Sequence, residues 1–203
     1  DDADTTPKGR VRLDEQLERE LLRRTLQAAA PLIDDGRLTS FLLQPRPAFV
    51  PGRHRLEELE PVVEPLAPHP VAIELRHRAW LAKEHRERTF GWLEDVGAAF
   101  VCVDAPQGKP ATLLPPLDVV TNHELAYLRA HGRNLEGWVH GKSVAERFGY
   151  RYEDDELREL TGRAEALAEQ AGQVRMMFNN NRGSDAPVAA ERARELLGQG
   201  VHA

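Results

Sequence analysis

The sequence has only one cysteine, Cys102, in 203 residues, which excludes an intramolecular disulfide and a zinc centre built from several thiolates. No apolar run approaches the roughly 18 residues that span a bilayer, and the acidic start, residues 1–4, is unlike the basic start of a signal peptide. Lysine and arginine are outnumbered by acidic residues, 27 to 33, for a net charge of -6. This balance argues against a broad nucleic-acid surface. We expect a cytoplasmic protein without nucleic-acid or membrane partners.

Five short apolar segments follow one another along the chain, and each ends in polar residues. They cover residues 39–44, 71–77, 99–104, 126–133 and 174–181. Helical patterns or long loops separate them, which predicts parallel strands joined by right-handed crossovers and hence an α/β fold. None of the four lysines lies in these segments, which argues against a Schiff-base aldolase.

The helices are predicted from the 3.6-residue spacing of apolar side chains. We expect them over residues 13–30, ended or kinked by Pro31, and then over 55–66, 80–96, 154–171 and 187–197. Residues 105–122 and 133–153 are predicted to be long loops. Residues 1–11 are interpreted as a mobile N-terminal lead.

The second apolar segment is the centre of the predicted sheet. Strand side chains alternate between faces, so Val71, Ile73 and Leu75 share an apolar face, while Glu74 and Arg76 share the other. Ligands of parallel α/β proteins gather at the C-terminal ends of the strands. The sequence therefore predicts a functional site where Glu74 and Arg76 lie.

Four of these segments resemble the domain-of-unknown-function 72 family, the YecE-like proteins. They are Phe41-Leu42-Leu43-Gln44-Pro45, Val71-Ala72-Ile73-Glu74-Leu75-Arg76-His77, Tyr127-Leu128-Arg129-Ala130-His131-Gly132-Arg133 and Phe178-Asn179-Asn180-Asn181. They occur in the family's order and with similar spacing, over residues 12–203. The resemblance implies a (β/α)8 TIM-type barrel whose biochemical activity is not established.

The sequence departs from the family pattern at its start. Family members begin with a Gly-Thr-Ser-Gly-Trp strand, followed by a strand rich in Glu, Asn and Tyr and a third that carries a Lys, and none of these is found here. Five strands cannot close an eight-stranded barrel. We therefore expect a partial barrel of five parallel strands, from a fragment or truncated homologue, completed by an N-terminal segment or by formation of a homo-oligomer.

Two strand-end carboxylates, Glu74 and Asp104, are expected to face the same interior from neighbouring strands. Such a pair can perform acid/base hydrolysis, as in glycoside cleavage, or hold a divalent metal through its oxygens. The alternative is a buried ionic network in which Arg76 and Arg129 neutralise both carboxylates. The sequence does not choose between these roles and does not firmly imply a cofactor.

Other strand-end residues complete the predicted site. His131 is a candidate general base, or a structural hydrogen-bond donor. The arginines are candidates for binding an anionic substrate such as a phosphate or carboxylate, unless neighbouring acids pair with them. Substrate contacts are predicted for Gln44, Arg76, Arg129, Arg133 and Asn179.

The loop over residues 133–153 carries Trp138, Phe148 and Tyr150. These residues form a lid over the site, a platform on which a sugar stacks, or ordinary loop packing, which is the commoner arrangement. A P-loop at residues 140–143 is rejected because Glu136 stands where that motif needs glycine. Cys102 is interpreted as a small core residue.

The leading functional hypothesis is an enzyme, most plausibly a hydrolase, that acts on a small polar or anionic substrate with Glu74, Asp104 and His131 as its catalytic groups. The alternatives are a protein that binds a small ligand without turnover and an inactive remnant.

Overall fold

The computed structural model describes Pro7, Gly9, Val11 and residues 14–199. The predicted mobile lead, residues 1–11, therefore lies outside the described residues except for these first three. Five parallel strands pair in sequence order to form one curled, half-barrel sheet, which confirms the predicted α/β class. The strands are β1 Phe41–Leu43, β2 Val71–Ile73, β3 Ala99–Asp104, β4 Ala126–Ala130 and β5 Val174–Phe178.

Helices flank this sheet. The α-helices are α1 Glu15–Asp34, α2 Glu60–Val63, α3 Lys83–Asp95, α4 Leu135–His140, α5 Val144–Phe148, α6 Asp154–Ala168 and α7 Asp185–Leu196. Three 3-10 turns, Leu56–Leu59, Glu64–Leu66 and Arg78–Leu81, connect them to the strands. None of the helices in the described part of the chain has the length and apolar character that crossing a bilayer requires.

The core lies between the central strands and the helices. All six residues of β3 are buried, and Leu93 of α3, Leu128 of β4 and Leu160 of α6 are fully enclosed. Burial of each such leucine contributes about 1.5–3 kcal/mol. The centre of the sheet is therefore a rigid support for the residues that follow its strands.

The connection between β3 and β4 runs without a helix, as predicted from its prolines. The buried Thr121 fixes it to the sheet, since its hydroxyl donates to the Ala98 carbonyl at 2.7 Å and accepts from the Phe100 N–H at 2.8 Å. This loop therefore packs in the place of the crossover helix.

The element ends differ from the predictions in several places. Helix α1 continues through Pro31 to Asp34, because the proline lies in its last turn and few hydrogen bonds remain to be lost. The chain then turns at Gly36, whose φ is +63°. The segment over residues 133–153, predicted to be a loop, contains two short helices, α4 and α5. They have six and five residues, too few for the apolar spacing that identifies a helix in a sequence.

Candidate functional site

A cavity of about 180 Å³ opens at the C-terminal ends of the strands, and we call it the site cavity. Its walls are residues that follow the strands and two loops above them. It is lined by Gln44, Glu74, Leu75, Arg76, Val103, Ala105, Thr112, Leu114, Arg129, His131, Trp138, Phe148 and Asn179. The structure therefore brings together six of the eight predicted site residues: Gln44, Glu74, Arg76, Arg129, His131 and Asn179.

Glu74 is the centre of the polar contacts. It is only 4% exposed, and its carboxylate accepts hydrogen bonds from Gln44 Nε2 at 2.6 Å and from an Arg129 guanidinium nitrogen at 2.5 Å. His131 Nε2 lies 3.2 Å from Glu74 Oε1. Residues of two strands, Gln44 after β1 and Arg129 and His131 of β4 and its end, thus direct polar groups to the buried carboxylate that follows β2.

Asn179, which follows β5, completes a closed set of contacts. Its side-chain oxygen accepts from Arg129 at 2.9 Å, and its amide nitrogen lies 3.1 Å from His131 Nδ1. With the amide in this orientation, Nδ1 accepts and Nε2 carries the ring proton toward Glu74. We refer to Glu74, Arg129, Asn179 and His131 as the polar ring.

The charge state of Glu74 follows from this environment. Burial alone would raise the pKa of the carboxyl group, but the hydrogen bonds from His131 and Arg129 and the charge of Arg129 outweigh it and lower the pKa to about 2. Glu74 is therefore ionised at neutral pH and cannot serve as a general acid there.

Arg76 stands apart from the polar ring although it lines the same cavity. No residue in the described part of the chain hydrogen-bonds or ion-pairs with its guanidinium group. Of the ionic network that the sequence left open as an alternative, the structure contains the pair of Arg129 and Glu74 but no pair that involves Arg76. Arg76 is thus a cation of the cavity lining for which the described residues supply no counter-charge.

Trp138 of α4 and Phe148 of α5 form the apolar side of the cavity, which we call the aromatic wall. Their rings meet edge to face at 5.4 Å, and both contact the His131 ring, at 6.1 and 5.8 Å. The Trp138 indole also donates to the Thr112 hydroxyl at 3.2 Å. Of the three aromatic residues that the sequence singled out in this loop, Trp138 and Phe148 therefore line the site cavity.

The local sequence explains the shape of the aromatic wall. Asn134 caps α4 by accepting from the Gly137 N–H at 2.9 Å, and its amide donates to the carbonyls of Glu146 and Gly149 at 3.2 and 3.1 Å. A Cβ on Gly137 would lie 2.1 Å from the Glu146 carbonyl oxygen. One asparagine and one glycine therefore allow α4 and α5 to pack in close contact.

Asp104 does not face the site cavity, so the expectation that it shares an interior with Glu74 is wrong. In the register of the sheet Val103 pairs with Arg129 and Asp104 pairs with Ala130. Because strand side chains alternate, Val103 faces the cavity and Asp104 faces the helices. The two carboxylates cannot hold one metal ion or act on one bond.

Asp104 instead forms a separate buried cluster with Arg133, the other predicted residue that lies outside the site cavity. Its carboxylate accepts from Arg133 at 3.0 Å and from the Tyr152 hydroxyl at 2.8 Å, and it lies 3.6 Å from Arg163. Burial, followed by the charge of Asp104, raises the pKa of Tyr152. Tyr150 packs on Tyr152 in this cluster, so it is no part of the aromatic wall.

Two cavity residues on one loop were not predicted from the sequence. Thr112 and Leu114 belong to the proline-rich loop after β3, and nothing in the periodicity of that loop marks a residue that faces the strand ends. Across the described residues there is no group of three or more His, Cys, Asp or Glu side chains placed to hold a metal ion.

Comparison with known proteins agrees with this architecture. The family model described as "Protein of unknown function DUF72" matches residues 5–203. The UPF0759 protein YunF of Bacillus subtilis strain 168 is 29% identical over 171 residues, which are 82% of this chain and 60% of YunF. The chain thus spans about 60% of the length of this curated relative.

Solved structures give the same result. A DUF72 family protein from Enterococcus faecalis V583 matches 90% of this chain and 70% of its own, with a TM-score of 0.79 and 30% identity. A DUF72 family protein from Thermotoga maritima MSB8 matches 88% of this chain and 65% of its own, with a TM-score of 0.77 and 31% identity. Because the family model matches nearly all of its residues and the solved family members share its fold, the chain belongs to the DUF72 family.

Proposed function

We propose that the site cavity is the active site of an enzyme that acts on a small anionic substrate. Arg76 binds the negative charge of the substrate and His131 transfers a proton. The observation that carries this proposal is the unbalanced guanidinium of Arg76 in the same small cavity as the contact between His131 and Glu74.

Glu74 has a positioning role in this proposal. As an ionised carboxylate 3.2 Å from His131 Nε2, it fixes the orientation and tautomer of the ring. The basic nitrogen of this tautomer is Nδ1, which faces the Asn179 amide. A substrate that displaces the amide gains access to this nitrogen, and the ring then accepts the substrate's proton.

Hydrolysis by two carboxylates does not suit this cavity, because Asp104 faces the helices. A hydrolysis with His131 as the base that activates water is compatible with it. The proposed reaction class is therefore proton transfer by histidine, on a substrate held through its negative charge.

The test combines binding and turnover. Calorimetric titration of the chain with acetate and with inorganic phosphate should give binding that Arg76→Ala abolishes and that Arg86→Ala, at an exposed position of α3, leaves unchanged. A panel of small anionic esters and amides should contain a substrate whose turnover His131→Asn removes. Binding of neither anion would refute the proposed site.

A second function is favoured by one feature of the polar ring. Both nitrogens of His131 are already occupied, by Glu74 and Asn179, as in a side chain whose role is structural. This favours a protein that binds a small anion without turnover. Binding that depends on Arg76, with no turnover in the panel, would support this second function over the first.

A further inference from the structure

We propose that the ligand of the site cavity is a small monocarboxylic acid whose body is apolar and about the size of one ring. Its carboxylate lies on Arg76 and its body lies against the aromatic wall. This inference rests on the proposed anion site and adds the class of the molecule.

The charge of the cavity favours a single negative charge on the ligand. Four lining residues can carry charge: Glu74, Arg76, Arg129 and His131. Glu74 and Arg129 neutralise each other at 2.5 Å, and the tautomer described above leaves His131 neutral. One positive charge remains, on Arg76, and one carboxylate balances it.

A phosphate ester fits this charge less well. It carries about 1.5 to 2 negative charges at neutral pH, so it would leave an excess of negative charge close to the ionised Glu74. Because that carboxylate is buried, the repulsion is poorly screened by solvent. The cavity therefore selects carboxylate over phosphate.

Much of the remaining lining is apolar. Val103, Ala105 and Leu114 line the cavity together with the aromatic wall. The wall is held in place, since Trp138 is fixed by its hydrogen bond to Thr112 and both aromatic rings pack on His131. A ligand that was charged throughout would leave this surface without a partner, whereas an apolar body removes it from water.

The size of the cavity limits that body. Pockets for drug-sized ligands measure about 300–1,000 Å³, and the site cavity measures about 180 Å³. The space suits a single ring or a short branched chain attached to the carboxylate.

Calorimetric titration with four probes tests the inference: benzoate, acetate, phenyl phosphate and benzyl alcohol. Benzoate should bind at least tenfold more tightly than each of the others. Acetate lacks the apolar body, benzyl alcohol lacks the charge, and phenyl phosphate has the wrong charge. Arg76→Ala should weaken benzoate binding at least tenfold.

A conservative change in the aromatic wall separates the two halves of the cavity. Phe148→Leu should weaken benzoate several-fold while acetate binding stays unchanged. The matched control is Phe90→Leu, because Phe90 packs on Phe100 away from the cavity and its loss should alter neither affinity. Circular dichroism of both variants establishes that they fold.

The outcomes distinguish this inference from the proposed function. Acetate or phenyl phosphate binding as tightly as benzoate, in a manner that depends on Arg76, would overturn the ligand class and leave the anion site intact. Equal loss of benzoate and acetate affinity in Phe148→Leu would also overturn it. Failure of every anion to bind would overturn both.

Discussion

Replacing Glu74 by glutamine tests whether the polar ring holds an ionised carboxylate. Glutamine has nearly the same shape but removes the charge that faces Arg129 and His131. Arg129 then remains almost buried, with 15% of its side chain exposed, and without its counter-charge. Breaking a buried pair in this way costs about 3–5 kcal/mol.

The lowered pKa of Glu74 gives an independent value for the same contribution. A fall from 4.5 to about 2 corresponds to about 3 kcal/mol, at roughly 1.4 kcal/mol per unit. Because the pKa is lower in the folded state, this stabilisation is complete above pH 4.5 and is lost as the pH falls through 2. At pH 3 about 1.4 kcal/mol of it remains.

Urea unfolding at pH 5 and pH 3 measures this contribution directly. The free energy of unfolding of Glu74→Gln should be lower than that of the original protein by about 3 kcal/mol at pH 5 and by about half as much at pH 3.

The matched control is Glu191→Gln, at an exposed position of α7, which should change stability by less than about 0.5 kcal/mol at either pH. A difference between Glu74→Gln and the original protein that stays constant from pH 5 to pH 3 would refute the reasoning. It would mean that the ring is held by shape and hydrogen bonds and not by the ionised carboxylate.

Three further predictions concern the residues behind the site. Tyr152→Phe should lower the free energy of unfolding in urea by about 1–3 kcal/mol, because the hydroxyl accepts from the Gly132 N–H and donates to Asp104, each at 2.8 Å. An unchanged value would show that these hydrogen bonds are dispensable. Gly132→Ala should destabilise by more than about 1 kcal/mol, since Gly132 has a φ of +90° and a Cβ there would lie 2.5 Å from Tyr150 Cβ; thermal unfolding at the original temperature would contradict this. Burial raises the pKa of the Cys102 thiol to about 11, so a disulfide reagent at pH 8 should modify Cys102 in urea but not in native buffer. Rapid reaction with the folded protein would contradict the burial of this thiol.

Much of the fold was predictable because its determinants are local. Except between β3 and β4, the strands alternate with helices along the chain. Proline or glycine marks most element ends, as Pro45 does after β1 and Gly97 does after α3. That Glu74 and Arg76 line one cavity was predictable for the same reason, since a carboxylate and a guanidinium at the end of an apolar strand are visible in the sequence. These features need no knowledge of distant contacts.

The aromatic wall and the Thr112 contact depend on residues far apart in the chain and were harder to predict from the sequence. Thr112 meets the site through the Trp138 indole, 26 positions along the chain. Whether Trp138 covers the cavity or only packs in its loop depends on how Asn134 and Gly137 join α4 to α5. Packing between loops decides which of these arrangements forms, and loop packing leaves no periodic pattern in the sequence.

Asp104 shows why the direction of a strand-end side chain is harder to predict than its position. The face of a residue is known only relative to others in its own strand, and β3 is apolar from Ala99 to Val103, so it has no polar alternation to indicate which face is inner. Only the pairing of Val103 with Arg129 places Asp104 toward the helices. From there Asp104 still supports the site, because its carbonyl accepts from the His131 N–H at 2.8 Å and its carboxylate holds the Tyr152 hydroxyl that binds the Gly132 N–H. The carboxylate expected beside Glu74 thus acts from behind the sheet, where it fixes the backbone that carries His131.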